Sequence, residues 1–203
     1  MKLLTVKKLL FFASLFFALN ANAQQNEKRY WDYVIKVNGD SIRCNVSAPL
    51  IGSVKYQSVA MSKPEKIKLD SIKEYSLITE QKIYRKVYRD GSAKPVFMVV
   101  IEKGKIGLYE LIHTNTTMGY GGAMTTTSTR DWYVGKNSDN VTGFKSSGIF
   151  LGKSRQSRKD LLAEMLKDKP EIYNKYMADD KFSFKQIRNL IYLYNTGEPL
   201  KEE

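Results

Sequence analysis

The chain is 203 residues long, carries a formal charge of +12 at neutral pH and contains one cysteine. That length can bury a core without crosslinks, and a single cysteine excludes an intramolecular disulfide. A basic balance draws a protein toward anionic surfaces, but Lys55, Lys63, Lys66, Lys68, Lys73, Lys82 and Lys86 alternate with apolar residues, as a solvated strand face does, rather than gathering in a docking patch.

Lys2, Lys7 and Lys8 precede an eleven-residue apolar run from Leu9 to Leu19, and Ala21-Asn22-Ala23 has the small-x-small pattern of a signal-peptidase site. The run falls short of the ~20 residues a helix needs to cross a bilayer. Residues 1–23 therefore read as a cleaved export signal, with no transmembrane span left after cleavage. The mature chain would begin at Gln24 and keep +9 of the +12 charge, since three lysines leave with the leader. The expected location is the periplasm or cell envelope, where ATP, nicotinamide cofactors and reducing power are absent. No cofactor and no nucleic-acid partner are expected there.

From Tyr30 to Leu151 the dominant period is two, the signature of strands. Trp31, Tyr33, Ile35 and Val37 share one face, Asn38-Gly39-Asp40 turns the chain, and Ile42, Cys44 and Val46 line the return strand. Cys44 falls in phase with the two aliphatics and so reads as a small buried hydrophobe. Short strands follow around Val54 and Tyr56, Ile67 and Leu69, and Ile72 to Ile78. Lys82 to Arg89 and Pro95 to Glu102 make a longer pair about Asp90-Gly91, and Lys103-Gly104-Lys105 leads into Ile106 to Ile112. Connections this short favour an antiparallel meander curled toward a barrel.

Residues 113–130 are mostly Thr, Ser, Gly and Asn, with isolated Met118, Tyr120 and Met124, and such a segment is expected to be a mobile loop. Trp132 to Val134 and Ile149 to Leu151 then read as a last strand pair around the polar stretch Gly135 to Ser147. Gly148 to Ser154 ends like a phosphate loop, but three residues rather than four separate its glycines, so successive amides cannot wrap an anion.

After Ser157 the period becomes 3.6. Ser157 and Asp160 resemble a capping box ahead of Leu161, Leu162, Met165 and Leu166, and Pro170 opens a second helix carrying Ile172, Tyr173, Tyr176 and Met177. Ser183 and Gln186 form a capping box for the third, with Phe182 stapled against Ile187; Ile187, Leu190, Ile191 and Tyr194 give its packing face, and Asn195-Thr196-Gly197 ends it. The predicted organisation is an antiparallel β domain over 24–152 followed by a packed helical segment over 153–203, an α+β protein.

The sole histidine, His113, sits at the edge of the predicted loop, where a nucleophile–histidine relay has little support. No Cys-x-x-Cys, no His-Glu-x-x-His and no calcium-loop spacing occurs. No catalytic, cofactor-binding or metal-binding residue is assigned, and the chain reads as non-catalytic. The densest basic cluster is Lys145, Lys153, Arg155, Arg158 and Lys159, at the junction of sheet and helices. Cations at a helix start oppose the macrodipole unless an anion is present, which makes these five residues the candidate anion-binding set.

Several stretches resemble exported Bacteroidetes-type proteins of unknown function. They are Asp32 to Ile42, Lys68 to Tyr75, Glu102 to Tyr109, Lys169-Pro170-Glu171 and Leu193-Tyr194-Asn195. The resemblance implies a β-rich envelope protein with C-terminal helices and brings no assigned activity. Asp-Ser-Ile, at Asp40-Ser41-Ile42 and Asp70-Ser71-Ile72, serves as a turn aspartate at a strand start. It also resembles the short motif at which such proteins are O-glycosylated, making Ser41 and Ser71 candidate acceptors. The expected role is an interaction or scaffolding module contacting an envelope protein. The alternatives are a binder of anionic lipid or acidic polysaccharide, and then a carboxylate-dependent hydrolase, whose paired acids would meet only in space.

Overall fold

A computed structural model describes residues 32–49, 52–118, 121–122, 124–148, 154–179 and 183–201. The expected leader, Trp31, Tyr120, Lys153, the expected strand at Ile149 to Leu151 and the staple residue Phe182 lie outside them. The described chain is α+β: ten strands in one sheet, then three helices. The strands are β1 (Asp32–Lys36), β2 (Ser41–Ser47), β3 (Lys55–Gln57), β4 (Glu65–Lys66), β5 (Ile72–Leu77), β6 (Lys82–Arg89), β7 (Pro95–Glu102), β8 (Ile106–Met118), β9 (Met124–Lys136) and β10 (Asn140–Ser146). The helices are α1 (Arg155–Leu166), α2 (Pro170–Ala178) and α3 (Phe184–Thr196).

The sheet runs β10-β9-β8-β7-β6-β5-β1-β2-β3-β4, and β10 also pairs in parallel with β6 through Asn140 opposite Tyr88 and Val141 opposite Arg89. Strands β6 to β10 therefore close into a barrel, and the remaining strands form a curled extension from β6. Register shifts at Val100/Glu102 in β7 and Gly143/Lys145 in β10 bend the sheet for closure. Gly107 faces Gly135 across β8 and β9, and Tyr109 lies over Gly107 where a Cβ would come within 2.6 Å of its hydroxyl. Side chains fill the interior: Val87, Met98, Tyr109 and Val141 pack together there, all buried.

The extension has its own core of Val34, Cys44, Tyr56, Ile72, Tyr75 and Leu77. Cys44 is fully buried, as its phase with Ile42 and Val46 predicts, and burial pushes its thiol up to about 11. The face of β1 differs from the expected one: Val34 and Asp32 are buried, while Val37 is exposed. Asp32 is buried because its carboxylate accepts from the backbone N–H groups of Val46 (2.9 Å) and Ile78 (2.8 Å), tying both neighbours of β1 to it. Tyr75 stacks on Tyr84 at 4.8 Å and meets Phe97 edge-on at 5.1 Å, joining the extension to the barrel.

Two further expectations are corrected. Residues 113–118 and 124–130 are strand, not loop: β8 and β9 pair continuously from Ile106 opposite Lys136 to Met118 opposite Met124. Threonine is a strong strand former, and once Ile106 to Leu111 fix the register the pairing extends into the polar half. Among the described residues β9, which contains the expected Trp132 to Val134, pairs with β10, whose residues lie in the stretch read as polar; Val141 and Phe144 are buried there. Helix α1 also starts earlier than expected, because Ser154, not Ser157, is its N-cap and accepts from the Ser157 N–H at 3.0 Å. The Pro170 start of α2 and the Ser183/Gln186 capping box of α3 are as expected.

The helices cover the outer face of the barrel, where Ile106, Leu108, Trp132, Val134 and Phe144 meet Leu162, Leu166, Tyr176, Ile187, Ile191 and Tyr194. Polar contacts fix this dock. The Asn195 carboxamide accepts from Ile106 N–H at 3.0 Å and donates to Ile106 C=O at 2.8 Å, standing in for a neighbouring strand. A Cβ on Gly104 would strike that carboxamide, so glycine is required there for the approach. Asp168, between α1 and α2, accepts from Lys105 (2.7 Å), Lys136 (2.7 Å) and the Tyr194 hydroxyl (2.8 Å).

Hydrogen bonds from Lys105, Lys136 and Tyr194 hold the Asp168 carboxyl well below the usual carboxylate range. A depressed folded-state pKa stabilises above the ordinary carboxylate range, and that stabilisation disappears as pH falls through the folded value. Urea midpoints of the wild type should therefore drop more steeply from about pH 5 to about pH 2 than those of Asp168→Asn, which has no carboxyl to titrate. Parallel curves would show that the clamp does not contribute.

Candidate functional site

The paired extension of β8 and β9 leaves the body of the protein as a two-stranded ribbon. Strand β7 accompanies β8 only as far as Glu110, opposite Val99, and β10 accompanies β9 only as far as Asp131, opposite Ser146. Its base is locked: the Glu110 carboxylate, itself buried, accepts from the Trp132 indole N–H at 2.9 Å and is ion-paired with Arg130 Nε at 2.9 Å, and His113 Nε2 lies 3.4 Å from Asp131. Beyond the base no residue from Thr114 to Thr129 carries a charge, in a chain that is 27% charged.

On one ribbon face Thr114 meets Ser128 at 3.3 Å and Thr116 meets Thr126 at 3.2 Å, hydroxyl to hydroxyl. Met118 and Met124 face each other at the end of the paired segment, 74% and 68% exposed. At about 3.3 Å per residue, Leu111 to Met118 reach on the order of 20 Å from the body. A ribbon of this kind presents extended backbone and β-branched side chains to an approaching chain. Its signal in the sequence was the run of threonines, read there for what it cannot bury rather than for its β propensity.

The predicted anion-binding residues are only partly assembled. Lys145 sits at the β10 bulge with its ammonium 4.9 Å from the Phe184 ring centre, and burial, then Arg158 and Arg155, push its pKa down. Those three cations share one place, beside the exposed first turn of α1. Lys159 turns instead toward the C-terminal end of α2, donating to Met177 C=O at 3.3 Å, a favourable placement against the helix dipole. Lys153 lies outside the described residues.

Ser41 and Ser71 are both exposed and stand at one end of the sheet, on either side of β1: Ser41 is opposite Ile35, and Ser71 C=O accepts from Val37 N–H at 3.0 Å. The isoleucines that follow them, Ile42 and Ile72, both pack into the extension core.

A seam of charges missed by sequence reasoning runs between extension and barrel. Buried Glu74 accepts from Tyr33 Oη at 3.0 Å and Lys103 Nζ at 3.3 Å, with Arg85 Nε 3.9 Å away and 3.4 Å from Asp139. Burial, then Glu74, push the Tyr33 phenol up to about 12. Lys73, Arg85, Tyr109 and Asp139 edge a polar hollow of about 280 Å³ beside it. The cations and carboxylates there answer one another, as a structural seam does. Among the described residues no group of His, Cys, Asp and Glu is arranged to hold a metal, and no helix is long and apolar enough to cross a membrane.

The chain matches no family model, no curated protein and no solved structure.

The lock at the ribbon base has a measurable value. Glu110→Ala would strand the buried Trp132 indole N–H and should lower unfolding stability in urea by about 1–3 kcal/mol. A loss within experimental error would show that the indole finds another acceptor.

Proposed function

We propose that the protein is an exported, non-catalytic module of the cell envelope that acts by gripping another protein through the β8–β9 ribbon. Export is supported by the leader-like segment ending at Ala23 and by the resemblance of five stretches to exported Bacteroidetes-type proteins. The observation that carries the contact role is the uncharged, projecting ribbon, whose outer edges beyond Glu110 and Arg130 pair with no other strand among the described residues. Within the barrel Val87, Met98, Tyr109 and Val141 pack against one another, and the hollow at its edge is lined by charges that pair across the seam. The body thus serves as a rigid mount for the arm.

A photocrosslinking amino acid at Thr116 should give a discrete adduct in intact envelopes, and the same group at exposed Lys55 on β3 should not. The protein recovered should have Gln24 as its first residue. Absence of a ribbon-specific adduct, or recovery of the uncleaved chain from the cytosol, would overturn this reading.

One observation favours a second reading, in which Lys145, Arg155 and Arg158 hold an anionic lipid headgroup or an acidic polysaccharide. Burial, then Arg158 and Arg155, disfavour the charged form of Lys145, and a bound anion would favour it. Retention on anionic vesicles or on an acidic polysaccharide column should weaken with salt and be lost in the Arg155→Ala/Arg158→Ala variant. Retention unchanged by that variant would remove this reading, and the two supports separate lipid from sugar.

A further inference from the structure

We infer that the occupant of the ribbon is a second copy of this chain, paired edge to edge along β8. This rests on the reading of the ribbon as the contact arm and names its partner.

The two ribbon edges are unequal. Strand β9 is covered down to Arg130, whose C=O accepts from Ser147 N–H at 2.9 Å and whose N–H donates to Ser147 Oγ at 2.8 Å. The inter-strand pairing of β8 with β7 ends at Glu110, which leaves Leu111 to Met118, among the described residues, as the longer open edge. Open edges are templates for pairing, and proteins commonly blunt them with charge, proline, bulges or brevity. This chain does so at the opposite end of the same sheet, where β4 is only Glu65–Lys66 and follows Pro64. The β8 edge has none of these devices: no charge from Thr114 to Met118, no proline, and no register shift along its pairing with β9.

Absence of charge is what self-pairing demands. When a strand pairs antiparallel with its own copy about a two-fold axis, any charge near the centre meets its own like. Thr114 and Thr116 meet hydroxyls instead, as they already do across the hairpin. Pairing of β8 with β8 uses the same edge on both copies, so this contact closes at two chains. The length of the arm matters as well. Each chain carries +12, or +9 without the leader lysines. Overlap of the two β8 edges leaves the basic bodies at opposite ends of a four-stranded ribbon, on the order of 20 Å apart. That exceeds the Debye length of ~8 Å at physiological salt, so the bodies do not oppose the contact. An acidic partner would be steered to the lysine-rich body and not to this neutral strip.

Sedimentation velocity of the purified full chain at physiological salt, up to about 100 µM, should show a concentration-dependent dimer. Thr114→Lys and Thr114→Glu, at the middle of the open edge, should each sediment as monomers with an unchanged melting temperature. Mixing the two variants should restore a dimer at least tenfold tighter than either variant alone forms, a rescue that misfolded protein cannot give. A wild type that stays monomeric, or a dimer indifferent to both substitutions, would overturn the inference. If the wild type is monomeric while the Thr116 crosslink in envelopes joins it to a different protein, the second copy is excluded and the contact arm stands. If the crosslink is absent too, both fall.

Discussion

The attachment of α3 to the start of β8 is the constraint on which the rest of the structure depends. The outer barrel face carries Ile106, Leu108, Trp132, Val134 and Phe144, an apolar surface that water would otherwise meet. The helices that cover it have 12, 9 and 13 residues, lengths at which an isolated helix is marginal in water. Sheet and helices therefore form together or not at all. Apolar burial provides the drive, but it is non-directional; the Asn195 pairing with Ile106 and the convergence of Lys105, Lys136 and Tyr194 on Asp168 set where the helices sit.

The short stretches singled out in the sequence meet one another at these joints. Glu102 to Tyr109 contains Gly104 and Ile106, which receive Asn195, and Gly107, which receives the Tyr109 ring. Leu193-Tyr194-Asn195 supplies the other half of the same dock. Lys169 donates to Tyr194 C=O at 2.7 Å and lies over its ring at 4.9 Å. Asp32 to Ile42 and Lys68 to Tyr75 meet as β1 and β5, where Tyr33 Oη donates to Glu74. Short motifs scattered along the chain thus come together in pairs at seams.

What could be read from the sequence follows the same division. The strand period, the Asn38-Gly39-Asp40 turn, the burial of Cys44, Pro170 and the Ser183/Gln186 box were all local signals, and each has a local physical cause. Barrel closure was not local: it needs Val141 beside Arg89, strands four apart in the order, and no spacing in the chain announces that pairing. The Ser157/Asp160 box failed because Ser154 competes for the same role and wins by one turn. The ribbon was misread because hydrophobic content was taken as the measure of order, whereas β8 and β9 carry their register outward from a buried half into a polar one. Of the candidate anion-binding residues, Lys145, Arg155 and Arg158 lie near one another, but Lys159 was drawn to a helix end whose position depends on the tertiary dock.

Charge is distributed in this molecule according to what each surface must do. At the seams, carboxylates are met by cations: Glu74 by Lys103, Glu102 by Arg188, Glu110 by Arg130, Asp168 by two lysines. Pairs like Glu74 and Glu102, whose carboxylates are largely buried, choose one docking geometry more than they add stability, since desolvation offsets much of the attraction. Across the rest of the body, lysines outnumber their partners and keep the surface hydrated. The ribbon is the exception, sixteen consecutive residues from Thr114 to Thr129 with no charge at all. A surface that needed only solubility would gain from a lysine there, and a surface that needed to bind an acidic partner would gain from several. A contact made by backbone pairing and neutral side chains, as proposed for the ribbon, is better served by having none, and the Trp132 indole bond to Glu110 fixes the base from which the two long strands would make it.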